Sequence, residues 1–345
     1  GIDARYELVD RLLIDLPDTI ATLREADTLG ANITVPFKER AVPMMDRLSE
    51  AQLAEVQAAA AATPHGEGLI WQATRGDATI TLVGTMHIAD PRLAPVFDAA
   101  AAELAQVDRA LFEATPAEQA QLMQAMTDDP SLTVITEGPT LPELLDRPTW
   151  AALRAAASER GIPGFIAAKM QPWFLAVSLS MPPCAMDAMA AGNMGLDFQL
   201  MDRATDLGIP MEALEPWDTL FSVFDAATLD DQIELLRLSL IAPDLQDEVF
   251  VAMLDGYFAG RVAEIWELNR AAFAFMPEVP GGPEFFDKTD QLLIRDRNHS
   301  WIPVIEAAAA EDDQIMVAAG AAHMPGTDGV LRLLEDRGWM VTRLR

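Results

Sequence analysis

Two short stretches of this sequence end in a histidine, and each follows an apolar run. The first reads Gly84-Thr85-Met86-His87 and the second Gly320-Ala321-Ala322-His323. Both have the form Gly-x-x-His, and the runs before them, 79–83 and 315–319, are typical of buried strands. The chain has only four histidines. Because two of them occupy the same place in the same local pattern, the pair predicts a shared functional site.

A third candidate follows another apolar run, since Glu113 comes directly after Ala110-Leu111-Phe112. Sites in open α/β sheets gather at the carboxyl ends of strands, so His87, Glu113 and His323 are expected to lie close together. Two imidazoles and one carboxylate, with open positions left for water, suit a hydrolytic divalent metal ion. Such an ion lowers the pKa of bound water and polarises a carbonyl.

Each of these residues alone also has an ordinary structural role. A single buried histidine is more often a hydrogen-bonded core residue than a ligand, and a glutamate at a strand end is usually solvated. The three together favour a site. The sequence contains neither His-Glu-x-x-His nor Gly-x-Ser-x-Gly, so it indicates neither a standard zincin nor a serine hydrolase.

The elements around the two motifs follow the same order. A hairpin across Arg75-Gly76-Asp77 leads to the first motif, a helix is predicted over 93–107, and a short strand then ends at Glu113. After the second motif, a helix over 328–336 and a strand over 339–344 are predicted. This repeat predicts an α/β fold with a duplicated strand, Gly-x-x-His, helix, strand core. The alternative is a chance match between common units.

The long middle of the chain, residues 117–310, is predicted to be a large, mostly helical insertion. Thr149 is expected to cap a helix that ends near Gly161. Thr228 and Asp231 have the spacing of a capping box. Pro303 is expected to start a new helix.

Composition narrows the classes of partner. The formal net charge is −30, from 54 acidic and 24 basic residues, so nucleic acid and anionic lipid are not expected as partners. Solubility is the preferred explanation of this acidity. No run of about 18 apolar residues occurs, so no membrane span is expected. The single cysteine, Cys184, excludes an internal disulfide and a cysteine-based zinc cluster.

The first 60 residues form a separate fragment and linker in this interpretation. The motif Asn32-Ile33-Thr34-Val35-Pro36-Phe37-Lys38-Glu39 and the lead-in Gly1-Ile2-Asp3-Ala4-Arg5-Tyr6 resemble the N-terminal part of shikimate dehydrogenase. The resemblance implies that Thr34 contacts substrate and Lys38 is the catalytic lysine. No Gly-x-Gly-x-x-Gly follows a strand anywhere in the chain, however, so no nucleotide-binding domain and no dehydrogenase activity are expected.

Residues 66–345 are similar to the TraB/PrgY/GumN family, in its GumN-like branch. That family is related to the Tiki metalloproteases and more distantly to the erythromycin esterase and ChaN-like groups. The matching segments occur in the family's order: Leu82 to His87, Leu111 to Glu113, Gly138 to Leu141, Lys169 to Trp173, Gly195 to Asp197, Leu214-Glu215, Arg297-Asn298 with Trp301, and Gly320 to Gly326.

The resemblance implies a metal-dependent hydrolase, most plainly a peptidase, whose divalent metal ion is held by His87, His323 and Glu113. It gives Glu113 and Arg297 as catalytic residues. The Arg297 fork would bind an oxyanion or a substrate carboxylate, with a helix salt bridge as the alternative. Asn298 is expected to orient a partner, while Asp197 and Glu215 are expected to have supporting or structural roles.

The alternative function is a non-catalytic protein that binds or sequesters a peptide signal, as some members of that family do. A peptide or a small molecule is the expected ligand in either case. GumN-like proteins are often exported, which favours a periplasmic or secreted location. A cytoplasmic location is the alternative, because the first 55 residues resemble a cytosolic enzyme.

Overall fold

The computed structural model of the chain describes residues 50–345, apart from residues 182, 184, 187–191, 193, 226, 241–242 and 276–281. The predictions for Thr34, Lys38 and Cys184 lie outside the described residues. Within the described part, six strands form one mixed sheet in the order β4-β3-β5-β2-β1-β6. The strands are β1 Ile70–Arg75, β2 Ala78–Thr85, β3 Arg109–Phe112, β4 Met211–Ala213, β5 Gln314–Gly320 and β6 Met340–Arg343.

The helices are numbered in chain order among the described residues. They are α1 Glu50–Ala62, α2 Ala94–Leu104, α3 Pro116–Asp128, α4 Leu141–Leu144, α5 Arg147–Glu159, α6 Gly164–Ala167, α7 Pro172–Ser180, α8 Leu196–Leu207, α9 Thr219–Asp225, α10 Leu229–Leu238, α11 Pro243–Phe258, α12 Val262–Phe275, α13 Gly282–Asp290, α14 Asp296–Glu311 and α15 Val330–Glu335. A π-helical turn, Gln291–Arg295, joins α13 to α14, and short 3₁₀ turns are Pro91–Leu93, Pro130–Leu132 and Ala321–His323.

Strands β2, β5, β3 and β4 are parallel neighbours, while β1 runs antiparallel to both β2 and β6. β2 and β5 are buried over most of their length, as expected for parallel strands that are covered on both faces. Their register places Thr85 opposite Gly320. Phe112 of β3 lies opposite Ala318 of β5. The strand ends that precede the predicted site residues therefore meet at one edge of the sheet.

Alternate residues of each central strand pack into different hydrophobic cores, as the twofold periodicity of a strand requires. Leu82 and Leu111 point to one face, where they pack with Trp301 and with residues of α14 and α15. Val83 and Phe112 point to the other face, against residues of α2, α8 and α11. A third cluster lies within the helical insertion and is built from helices α4 to α7 and α10.

The structure confirms the mixed α/β class and the predicted hairpin, whose turn contains Gly76 at φ 64°. The predicted strands at 110–112, 315–319 and 339–344 correspond to β3, β5 and β6. The capping box of Thr228 and Asp231 is present at α10. β4 was not predicted, because three residues are too few to show a periodicity. The duplication of the core stays a prediction.

Two helix boundaries predicted from single residues are wrong. Asp146, not Thr149, caps α5, and its carboxylate accepts a hydrogen bond from the Thr149 backbone N–H at 2.9 Å. Pro303 lies inside α14 instead of starting a helix. A proline in a helix interior costs about 3 kcal/mol, but the fully buried Ile302 and Ile305 on either side of it bind this helix to the core and offset that cost.

None of the helices in the described part of the chain combines the length and the apolar character that a membrane crossing requires. This agrees with the expectation from the sequence.

Candidate active site

The centre of the site is Arg297, in the first turn of α14, which binds two carboxylates. Its Nε and Nη2 donate to Glu215 Oε2 and Oε1 at 2.9 and 2.7 Å, and Nη2 also donates to Glu113 Oε2 at 2.6 Å. Nη1 donates to the Leu293 carbonyl at 3.1 Å and lies 3.3 Å from His323 Nε2. A guanidinium has five N–H groups, so every one of them has a partner within the protein.

This saturation bears on the role predicted for Arg297. Only 12% of its side chain is exposed, and a substrate oxyanion would have to displace one of its present partners. Arg297 therefore forms salt bridges, but with Glu113 and Glu215 outside α14 and not within the helix, as the alternative to substrate binding had it. In this arrangement Arg297 holds Glu113 and Glu215 in place, and its direct catalytic role stays a prediction.

Glu113 is held at both carboxylate oxygens. Oε2 accepts from Arg297, while Oε1 accepts from the Gly320 backbone N–H at 2.7 Å and lies 4.0 Å from His323 Nε2. A Cβ at position 320 would lie 3.2 Å from Glu113 Oε1, so glycine leaves the room for this close approach. Burial alone would raise the pKa of Glu113, but the proximity of the His323 ring, the charges of Arg297 and His87, and the hydrogen bond from the Gly320 backbone N–H outweigh it and lower the pKa to about 2.

His323 is buried beneath Arg297 and is oriented by Asn298. Its Nδ1 lies 2.7 Å from Asn298 Oδ1, and Asn298 Nδ2 donates to the carbonyls of His323 and Asp328 at 3.2 and 2.8 Å. Because the amide nitrogen is already a donor, Asn298 Oδ1 is the acceptor and the His323 proton is assigned to Nδ1. Burial lowers the pKa of His323 to about 4, so the ring is neutral at neutral pH.

His87 has a different environment, although it belongs to the same sequence motif. Its Nδ1 lies 3.1 Å from Asp197 Oδ2, and 59% of the His87 side chain is exposed. The hydrogen bond to Asp197 raises the pKa of His87 to about 9, against the opposing effect of burial. The charges of Glu113 and Arg297 also act on this pKa, in opposite directions. The buried carboxylate of Asp197 therefore holds Nδ1 of His87, and the Nε2 side of the ring is left for other partners.

The start of α8 packs directly on the first Gly-x-x-His motif. The Leu196 backbone N–H donates to the Met86 carbonyl at 2.9 Å. A Cβ at Gly195 would lie 2.3 Å from the carbonyl carbon and oxygen of His87, so only glycine permits this contact. It places Asp197, in the first turn of the helix, against the His87 ring. Asp197 is buried, and its Oδ1 has no partner among the described residues.

Of the four residues predicted as ligands or catalysts, Glu113, His323 and Arg297 are in mutual contact. His87 pairs instead with Asp197, but it lies near enough for its charge to act on the pKa of both Glu113 and His323. Asn298 contacts His323 in the way expected of a residue that orients a partner, while Asp197 pairs with His87 and Glu215 with Arg297. In the sequence, these three residues were indicated only by their position in family-like segments. Their partners, His87, Arg297 and His323, lie far from them in the chain, so no local pattern showed the contacts.

The predicted metal ion does not fit the side chains as they are arranged. Both oxygens of Glu113 accept hydrogen bonds, and His323 Nε2 faces the cationic guanidinium of Arg297. A divalent ion about 4 Å from that guanidinium would be repelled by roughly 8 kcal/mol at an effective dielectric constant of about 20. Among the described residues, no three histidine, cysteine or acidic side chains converge on one point.

The fold and the site together define a class: an α/β protein with two Gly-x-x-His motifs and a buried glutamate at the carboxyl ends of its parallel strands. Residues 69–343 match the TraB/PrgY/gumN family, and the chain belongs to that family. This agrees with the resemblance seen in the sequence motifs.

Residues 1–60 match a second family, the shikimate dehydrogenase substrate binding domain. A shikimate dehydrogenase (NADP(+)) from Exiguobacterium sp. strain AT1b is 43% identical over 51 residues, which is 15% of this chain and 20% of that protein. The chain thus spans about a fifth of the length of that curated relative. No solved structure matches the chain.

Proposed function

We propose that this chain is a hydrolase that cleaves an amide bond of a peptide, with His87 as the group that transfers protons. One observation carries the proposal. His87 exposes one side of its ring at the edge of the site, while buried Asp197 holds Nδ1 at 3.1 Å. This is the arrangement of a histidine whose tautomer and orientation are fixed for acid–base chemistry.

The reaction follows from this arrangement. Neutral His87 accepts a proton at Nε2 from a water molecule while the water oxygen bonds to the carbonyl carbon and the π electron pair of the C=O bond moves onto the carbonyl oxygen. The C=O bond then re-forms, and the electron pair of the C–N bond leaves with the nitrogen, which takes the same proton back from His87. Asp197 and the ionised Glu113 both favour the cationic ring, so they stabilise it between the two proton transfers.

In the proposed reaction, the buried ion-pair network around Arg297 does not exchange protons; it keeps the strand ends of the site in a fixed position. Arg297 holds Glu113 and Glu215, and Glu113 in turn fixes the Gly320 backbone N–H at the end of β5. Preorganised charges of this kind need not rearrange during the reaction. We therefore assign Arg297 and Glu113 a positioning and electrostatic role.

The experiment uses the purified chain with a pool of internally quenched fluorescent peptides. Replacing His87 by Gln is expected to lower kcat/KM by about 10²- to 10⁴-fold, the usual contribution of a general acid–base group. The matched control is His299→Gln, since His299 also pairs with an aspartate, at 2.8 Å from Asp328, but is exposed and has no ion pair with Glu113 or Glu215 among the described residues. Wild-type protein that cleaves no peptide, or a His87→Gln variant with full activity, would contradict the proposal.

Dependence on a divalent metal ion, predicted from the family resemblance, remains a separate proposal. It requires Arg297 to move away from Glu113 and His323. Elemental analysis of the purified chain tests it directly: one tightly bound transition metal per chain, lost in a His323→Gln variant, would support it. Metal-free protein with full hydrolytic activity would exclude it.

A second function, peptide binding without cleavage, is favoured by one specific observation. All five N–H groups of Arg297 and both oxygens of Glu113 are bonded inside the protein, which is also how a purely structural network is arranged. Saturable binding of peptides by the wild-type chain, with no turnover and no effect of His87→Gln on affinity, would favour this function over hydrolysis.

A further inference from the structure

Four half-buried aromatic side chains lie together beside the site; we call them the aromatic cluster. They are Trp173 of α7, Trp217 in the turn before α9, and Phe221 and Phe224 of α9. Trp173 stacks on Phe224 with ring centroids 4.6 Å apart and meets Phe221 edge-on at 5.7 Å. Trp217 meets Phe221 edge-on at 6.2 Å. Such arrangements are favourable aromatic contacts.

The aromatic cluster borders the core of the helical insertion, since Trp173 meets Phe174 edge-on at 5.3 Å and Phe174 packs against that core. None of its four members belongs to the two clusters that flank the sheet or to the cluster within the helical insertion. All four are partly accessible, and Val177, one turn after Trp173 on α7, is 46% exposed. Large apolar side chains that remain partly exposed next to one another at a surface mark a place where a partner can bind.

The chain itself connects the aromatic cluster to the site. Trp217 follows Glu215 by two residues, so their Cα atoms are at most about 7 Å apart. Glu215 is fixed by Arg297 and by Trp301, whose Nε1 donates to Glu215 Oε2 at 2.9 Å. The near edge of the aromatic cluster is therefore held at a fixed position next to the buried charge network.

We infer that the aromatic cluster is a subsite for an aromatic or branched aliphatic side chain of the peptide substrate, close to the bond that is cleaved. This inference rests on the proposed function and names its substrate class. The charges of the site narrow the class further. Carboxylates of Glu113, Asp197 and Glu215 outnumber the cations of Arg297 and His87, and the whole chain carries a net charge of −30. Acidic peptides would be repelled, so the substrate is a neutral or basic peptide with an apolar residue.

The test measures binding, so that it does not depend on cleavage. In the His87→Gln background, isothermal titration calorimetry compares capped five-residue peptides that differ only at the central position, which is Phe, Leu, Ala or Glu. The expected order of affinity is Phe and Leu first, then Ala, then Glu. Adding Trp217→Leu is expected to weaken binding of the Phe peptide by about tenfold or more, within the range that apolar contacts in a pocket provide, and to leave the Ala peptide unchanged.

The matched control is Trp266→Leu, because Trp266 is also half-buried against one aromatic ring, Phe286 at 5.3 Å, but lies on α12. This variant is expected to keep the full preference for the Phe peptide. Phe221→Leu is a second variant of the aromatic cluster, to be used if circular dichroism shows that Trp217→Leu does not fold. Equal affinity for the Phe and Ala peptides, or an unchanged preference in folded Trp217→Leu and Phe221→Leu proteins, would overturn the inference.

Two further results separate the subsite inference from the proposed hydrolysis and from the possibility that the aromatic cluster is a dimer contact. If the wild-type chain cleaves no peptide but binds the Phe peptide through Trp217, the proposed hydrolysis fails and the subsite stands. If sedimentation velocity shows a dimer that Trp217→Leu dissociates, and Phe peptides do not bind, the aromatic cluster is a contact between two copies of the chain and the subsite is refuted.

Discussion

Replacing Asp197 by asparagine should return the pKa of His87 towards its ordinary value. The amide side chain has nearly the same shape as the carboxylate and still offers an oxygen to Nδ1, but it carries no charge. The hydrogen bond and the charge of Asp197 raise the pKa of His87 from 6.5 to about 9. Because 59% of the His87 side chain is exposed, solvent screens part of this effect. We therefore expect the Asp197→Asn variant to lower the pKa by at least about one unit.

Histidine NMR measures this change directly, since the chain has only four histidines and a set of His→Gln variants assigns their signals. The neutral His323, whose burial lowers its pKa to about 4, is an internal control that Asp197→Asn should not shift. Groups that face His87 from other elements, Glu113 on the β3 side and Arg297 on α14, are unchanged in the variant. A wild-type His87 that titrates near 6.5, or an equal midpoint in the variant, would refute the reasoning.

The same pair predicts a pH dependence of stability. The folded pKa of His87 is raised, so the folded state binds a proton that the unfolded chain releases at lower pH. The stabilisation by Asp197 is fully present below pH 6.5 and is lost as the pH rises through about 9. Urea unfolding of wild type and Asp197→Asn should therefore differ more at about pH 6 than at about pH 9.5, and the opposite trend would contradict the assignment.

Three further predictions concern activity and folding. If neutral His87 is the base, kcat/KM should rise about tenfold per pH unit up to near pH 9, and Asp197→Asn should reach its plateau at a lower pH; a flat profile between about pH 6 and pH 9 would argue against this. Glu215→Gln leaves a buried guanidinium short of a carboxylate and should lower the free energy of unfolding by about 3–5 kcal/mol, measured with urea. Glu311→Gln, at an exposed ion pair (67% exposed), should cost less than about 1 kcal/mol, and similar losses in both variants would contradict the assignment of the buried network. Gly195→Ala would place a methyl group 2.3 Å from the His87 carbonyl and should cost about 1–3 kcal/mol or more, whereas a melting temperature equal to that of the wild type would show that the helix is free to shift.

The sequence alone determined the elements that carry the site. Apolar runs predicted strands β2, β3 and β5 because strands that are buried on both faces are built mainly from apolar residues. The polar residue after each run then had to lie at a strand end, which is why His87 and Glu113 could be chosen from their position. The helix boundaries at Thr149 and Pro303 were wrong, because one residue type is a weak signal compared with capping by a neighbour or packing of a whole helix.

Only the tertiary structure decided what the two histidines are. They share one motif, yet His323 is buried and neutral against Asn298 while His87 is exposed and basic against Asp197. Neither partner lies near its histidine in the chain, and a pKa depends on burial and on charges that folding brings close. The same holds for Arg297. Its residue type suggested a guanidinium free to bind substrate, whereas in the folded chain that guanidinium pairs with Glu113 and Glu215.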